Sequence, residues 1–189
     1  LKPSSAITGR SLFSILDSPG SGQVDPSRDK IFGGRERHSH ARRDNLGYPA
    51  RAIRTHQHLY IRNFKPDRWP AGDPQLYADI DNGPSKSYMM EHWADPQVAP
   101  LFEHAFGKHP EEQLYDVTQD PGCLRNLAVS PDHAATRQKL RAELDRTLTA
   151  QKDPRMTGSE IFDSYPRHSQ MRPELGGFST RGAYNPKYK

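Results

Sequence analysis

The chain carries one cysteine, Cys123, in 189 residues. That count excludes an internal disulfide and a cysteine-based metal cluster. Large apolar side chains are scarce too: Val, Leu, Ile and Phe make up roughly 17% of the chain, below the usual globular range, and the mean hydropathy is −0.95. So little apolar surface cannot offset the ordering entropy of every residue. The expectation is one modest core, with long segments lying against something else. No apolar run approaches the ~20 residues of a membrane-spanning helix, so no membrane partner is expected. The first residue is Leu1 rather than Met, and no charged stretch followed by an apolar run precedes Thr8-Gly-Arg-Ser-Leu12. Any signal peptide is therefore expected further upstream. A strong excess of positive charge is also missing: 27 basic residues face 23 acidic ones, for a net charge of +4. With no RNA- or DNA-binding signature beside it, that balance argues against nucleic acid.

What is present reads as short strands and helices. Ser11-Leu-Phe-Ser-Ile-Leu16 has the apolar spacing of a brief amphipathic helix, closed by a Ser/Pro/Gly cluster. Ile31 and Phe32 start a strand, and Gly33-Gly34 permits close approach of the backbone to another element or a ligand. Arg51 to Thr55 and His58 to Arg62 read as antiparallel strands joined through His56 and Gln57. Helices are expected over Pro84–Trp93 and Pro96–Phe106, the second ended by Gly107. Leu114-Tyr-Asp-Val117 is a fourth strand. From Ser130, an N-cap candidate followed by Pro131, a helix runs to Leu148 with Leu140, Leu144 and Leu148 on one face. Four strands and a packed helix give an α+β fold, a small four-stranded antiparallel sheet against a C-terminal helix. The segment 29–150 is its domain, 1–28 a linker, and 151–189 an extended or disordered tail.

Two segments go further. Tyr48-Pro-Ala-Arg-Ala-Ile-Arg-Thr-His-Gln-His-Leu-Tyr-Ile-Arg-Asn-Phe64 and Gln113-Leu-Tyr-Asp-Val-Thr-Gln-Asp-Pro-Gly-Cys-Leu-Arg-Asn-Leu-Ala128 together resemble the C-terminal subdomain of the formylglycine-dependent sulfatases, closest to the heparan N-sulfatase (sulfamidase) branch. The resemblance runs from about Thr8 to Leu148. It implies a portion of an enzyme that hydrolyses sulfate esters or sulfamates of sugars, periplasmic or secreted. It also implies an N-terminal α/β catalytic domain of the same chain, which supplies the formylglycine nucleophile and the calcium ligands. The nucleophile motif is Cys or Ser, any residue, Pro, any residue, Arg. Cys123 has Arg125 where that motif has Pro, and Ser164-Tyr-Pro-Arg167 places its arginine one position early. No catalytic residue, cofactor or metal ligand is therefore assigned to this chain, which is expected to be inactive alone. Cys123, in a turn without an evident base, reads as a small packing residue.

The main chemical signal is basic: Arg35, Arg37, His38, Arg42, Arg43, Arg51 and Arg54. Guanidinium forks bind sulfate or carboxylate oxygens in planar, bidentate fashion, while ordinary ion pairs to Glu36 and Asp44 are the plainer alternative. In the sulfamidase-like branch the corresponding region lies near the mouth of the active-site pocket. The resemblance therefore marks Arg35, Glu36, Arg37 and His38 as candidates for binding a sulfated saccharide. His38-Ser-His40 and His56-Gln-His58 place imidazoles at a spacing zinc could use, but no further ligands are identifiable. Asp79-Ile-Asp81 reads as a turn and helix cap ahead of Pro84. A second class stays open: a stand-alone basic module binding glycosaminoglycan or nucleic acid.

Overall fold

The computed structural model describes residues 9–165, except His40 and Gln75, with only the backbone of Asn45. Thr8, the second histidine of the pair at 38 and 40, Arg167 and the segment 166–189 lie outside the described residues. The elements in chain order are α1 (Phe13–Leu16), β1 (Lys30–Arg35), β2 (Ala50–Thr55), β3 (His58–Asn63), α2 (Pro84–Glu91), α3 (Ala99–Phe106), β4 (Glu112–Asp116) and α4 (Ala134–Ala150). The strands form one antiparallel sheet in the order β1-β2-β3-β4. The fold is α+β, with the sheet packed against α4.

The register explains which residues meet the helix. Phe32, Ile53, Tyr60 and Leu114 stand opposite one another across the four strands, so their side chains share a face. Ile53, Tyr60 and Leu114 are buried with Leu140, Leu144 and Leu148 of α4. The i, i+4, i+8 leucines thus meet a row of apolar strand residues, as the spacing predicts. The helix start differs from expectation: Ser130 makes no side-chain cap, and Pro131–His133 form a 3-10 turn ahead of α4. A second cluster gathers Ala71, Tyr77 and Phe106, with Trp69, Ile80, Met89, Met90 and Phe102 around it. The single expected core is therefore two, since aromatics clustered in the loop after β3 and in α3 bury one another away from the sheet. By contrast α1 is one turn, and Phe13 and Leu16 on it are exposed.

The Leu-Tyr-Asp motif is architectural. Asp116 Oδ1 accepts from the Thr118 and Gln119 amides at 3.0 and 3.2 Å and from Thr118 Oγ1 at 2.6 Å. This Asx turn redirects the chain past β4. Asn126 then comes back alongside: its Oδ1 accepts from Leu114 N at 2.9 Å and from Ala128 N at 3.0 Å, and its Nδ2 donates to Glu112 O at 3.2 Å. One asparagine side chain satisfies backbone groups on the β4 edge that a fifth strand would otherwise take. Cys123 lies in this connection with φ of 53°. Burial, aided by the Asp120 charge, pushes its thiol upward, which is opposite to the activation a nucleophile needs.

Gly34 and Gly47 sit at close approaches around the end of β1. A Cβ on Gly34 would lie 3.0 Å from Arg51 Cδ, and one on Gly47 would lie 2.7 Å from the Glu36 carbonyl oxygen. At Gly34 the neighbour is the side chain of the adjacent strand, so this glycine makes room for an arginine, whereas a Cβ on Gly33 would meet nothing within 4 Å. Gly107 ends α3 as expected, with φ of −67°; a side chain there would run into the Glu103 carbonyl group. The segment 151–165 is not the extended or disordered tail its composition suggests. Pro154–Thr157 and Ile161–Ser164 are 3-10 turns, and Arg155 is buried. Charged pairs, invisible to hydrophobic periodicity, hold this segment to the sheet.

Candidate functional site

β1 ends at Arg35, and the chain leaves the sheet through Glu36, Arg37 and His38 before Gly47 and Tyr48 return it to β2. The return is closed by Tyr48 N donating to Glu36 O at 2.6 Å. An open cleft of about 480 Å³ lies at this corner, lined by Gly34, Arg35, Glu36, Arg37, His38 and Asp79. All four residues singled out from the sequence therefore line one depression, and Asp79, read there as part of a turn, joins them.

Glu36 faces inward. Its Oε1 accepts from Arg51 Nη2 at 2.7 Å and from Arg155 Nε at 3.2 Å, and its Oε2 accepts from Arg155 Nη2 at 2.7 Å. Arg51 also reaches Asp153 through Nε at 2.7 Å, Arg155 lies 3.7 Å from Asp163, and Arg68 grips Asp163 at 3.0 Å. Three arginines thus interlock with three carboxylates. The hydrogen bond that Arg155 donates to Glu36 is the foremost reason that its guanidinium is held above its usual range. Burial works to raise Asp153, but the hydrogen bond from Arg51, the Arg155 amide and the nearby charges leave it below the usual carboxylate value. Asp163 is lowered in the same manner, with Arg68 and the Gly47 amide overcoming burial.

Asp79 organises the other side. Its side chain is 0% exposed. Oδ1 accepts from Ser39 N at 2.9 Å and Ser39 Oγ at 2.6 Å, while Oδ2 accepts from Arg35 Nη2 at 2.8 Å and Arg42 Nη2 at 2.5 Å. Arg42 is 2% exposed and donates as well to the carbonyls of Trp69 and Pro70 at 2.7 Å each. Burial draws its guanidinium down despite the Asp79 charge. The N-terminal end of α2 is capped by neither Asp79 nor Asp81; Gly83 occupies the cap without a side-chain bond.

The seven-member basic cluster therefore divides. Arg42 and Arg51 are spent inside the fold, Arg54 donates to the Thr55 carbonyl at 2.8 Å, and Arg43 is paired loosely with Asp44 at 3.7 Å. Arg35, Arg37 and His38 reach the cleft; Arg37 also donates to the Tyr165 carbonyl at 3.2 Å. Sequence reasoning missed Asp79, Asp153, Arg155 and Asp163. A signal for Asp79 existed in its position after the Trp-Pro-Ala-Gly loop, but nothing local reveals that it lies under β1. Among the described residues no group of three or more His, Cys, Asp or Glu side chains is placed to hold a metal ion, and no helix is long and apolar enough to cross a membrane.

Fold and site together define a small α+β unit built around arginine–carboxylate clusters with a basic cleft at one sheet corner. The chain is 32% identical over 128 residues to an ulvan-active sulfatase of Formosa agariphila, matching 65% of this chain and 20% of that protein. A second ulvan-active sulfatase of the same organism is 29% identical over 106 residues, 56% of this chain and 18% of the relative. These similarities support the sulfatase family, and the chain spans about a fifth of the length of the relatives it matches. No protein-family profile matches it. Among solved structures, a protein in complex with its substrate D-glucosamine-2-N,6-O-disulfate is similar at a TM-score of 0.46 with 18% identity, over 81% of this chain and 22% of that one. A 2-O glycosaminoglycan sulfatase gives 0.44 with 19% identity, over 98% and 27%.

Proposed function

We propose that the chain is the C-terminal portion of a sulfatase that hydrolyses sulfate esters of an acidic saccharide, and that it supplies one wall of the substrate pocket. The observation that carries this reading is the 32% identity to an ulvan-active sulfatase over 128 residues. The basic cleft adds chemistry in keeping with it: Arg35, Arg37 and His38 offer donors and an imidazole to a sulfated sugar, and Glu36 serves that wall from behind, its carboxylate committed to Arg51 and Arg155. A formylglycine and a calcium ion, which supply the nucleophile and stabilise sulfate charge in such enzymes, do not fit the residues described here. Cys123 lies outside the required motif with its thiol pushed up, and among the described residues no group of three or more His, Cys, Asp or Glu is placed to hold a metal ion. Those groups belong, in this proposal, to an N-terminal catalytic domain of the same chain, and no step of the reaction is assigned to this part. The whole protein is exported, to the periplasm or beyond.

The sulfamidase branch is a narrower form of the same reading, in which nitrogen rather than oxygen leaves. One experiment addresses both. The reading frame upstream of Leu1 is sequenced, and the full-length protein is assayed for sulfate release from O-sulfated and N-sulfated saccharides. A Cys- or Ser-x-Pro-x-Arg motif upstream and release from the O-sulfated substrate are expected; release from the N-sulfated one alone places the protein in the sulfamidase branch. An upstream frame without the motif, or no release from either substrate, overturns the proposal.

A further inference from the structure

We infer that Asp79 is a positioning residue for anion recognition: it holds Arg35 so that the rest of the guanidinium faces the cleft and binds an acidic group of the saccharide, a sulfate or a carboxylate, away from the bond being cleaved. This rests on the sulfatase reading above and adds a residue and a subsite to it.

The division of labour between the two oxygens of Asp79 is the first ground. Oδ1 takes both donors of Ser39 and so fixes the backbone just beyond His38, while Oδ2 takes Arg35 and Arg42. One fully buried carboxylate therefore ties the end of β1 to the loop that follows it, across 44 and 40 residues of sequence. The charge count is the second ground. Behind the cleft, Arg51, Arg68 and Arg155 are matched by Glu36, Asp153 and Asp163. At Asp79 two guanidinium groups share one carboxylate, which leaves a unit of positive charge without an ion-pair partner. Arg42 is sealed in, with carbonyl oxygens on Nε and Nη2 and with Nη1 buried without a hydrogen-bond partner among the described residues, so the surplus reaches solvent through Arg35. The Arg35 side chain is 42% exposed and engages Asp79 through Nη2; among the described residues its Nε and Nη1 carry no other hydrogen bond. A guanidinium held on one corner with its remaining donors open is preorganised for an oxyanion.

The test uses the full-length protein and compares wild type, Asp79→Asn, Arg35→Gln and the double variant. Each is assayed on a sulfated oligosaccharide bearing a second acidic group and on a small aryl sulfate. Both single variants should raise KM for the oligosaccharide about tenfold relative to KM for the aryl sulfate, the loss expected for one charged hydrogen-bonded contact, with kcat little altered. The double variant should be no worse than Arg35→Gln, and the rise of oligosaccharide KM with NaCl should become shallower in all three. Equal effects on both substrates, additive effects in the double variant, or an unchanged salt dependence overturns the proposal. If Asp79→Asn does not fold, Arg35→Gln decides, because an unchanged oligosaccharide KM in that variant excludes the subsite. Oligosaccharides with either a sulfate or a uronate as the second acidic group distinguish the two anions. A wild type that cleaves neither substrate refutes the sulfatase reading itself, whereas an active wild type with unaltered variants refutes only the role of Asp79.

Discussion

Arginine is used in two opposed ways in this chain. Arg42, Arg51 and Arg155 are buried and bonded to carboxylates, where a charge is tolerated only because its partners are close. Arg35 keeps donors open to solvent. The buried set carries a pH signature. Asp153 and Asp163 lie below their ordinary value of 3.8 in the folded chain, so their contribution to stability is complete above that value and is lost as pH falls through the lowered folded values. Asp153→Asn should therefore destabilise on the order of 3 kcal/mol at pH 7, and the gap from wild type should close on acidification below about pH 4. Urea midpoints for both proteins at pH 7 and at pH 3 check this; a constant gap across that range would remove Asp153 from the acid-sensitive network.

At the scale of elements, α4 is fastened by three leucines to the row formed by Ile53, Tyr60 and Leu114. Leu144 is 0% exposed, and Leu144→Ala should cost about 2–5 kcal/mol, the range for a buried leucine whose cavity collapses only in part. Denaturant unfolding followed by far-UV circular dichroism measures it, and a loss below 1 kcal/mol would mean that the helix does not hold the sheet. This packing was legible in the sequence because periodicity reports directly on burial: alternate residues in β2 and β3, every fourth in α4. The cleft was legible only in part. Arg35, Arg37 and His38 are local to one stretch, so composition picks them out. Asp79 and Asp153 are chosen by contacts 44 and 102 residues distant, and a lone aspartate in a polar loop looks the same whether it caps a turn or neutralises a buried arginine. The 3-10 turns after α4 escaped notice for the same reason, being secured by charge rather than by an apolar stripe.

For the whole molecule, binding groups without a nucleophile cannot carry out a covalent displacement. The chain of residues 1–189 on its own should show no turnover of a fluorogenic aryl sulfate above buffer background. Turnover abolished by Cys123→Ala or Ser164→Ala would require a reaction centre inside this chain and would contradict the division of roles proposed above. The sheet corner also explains why a basic chain need not be a general polyanion binder: three of the seven members of its cluster at 35–54, Arg42, Arg51 and Arg54, already bond to its own carboxylates and carbonyls. What remains open to a ligand is narrow.

The salt bridge from Arg155 to Glu36 spans 119 residues, and it imposes an order on manufacture. During synthesis at roughly 5–20 residues per second, Glu36 is added to the chain about 6–24 s before the arginine that completes its bonding. All four strands are available earlier, yet the corner that shapes the cleft must wait, with Glu36 and Arg51 missing partners that are translated after α4. A ribosome that stops anywhere between Ala150 and Arg155 would release a chain with its sheet and long helix in hand and its cleft unfinished.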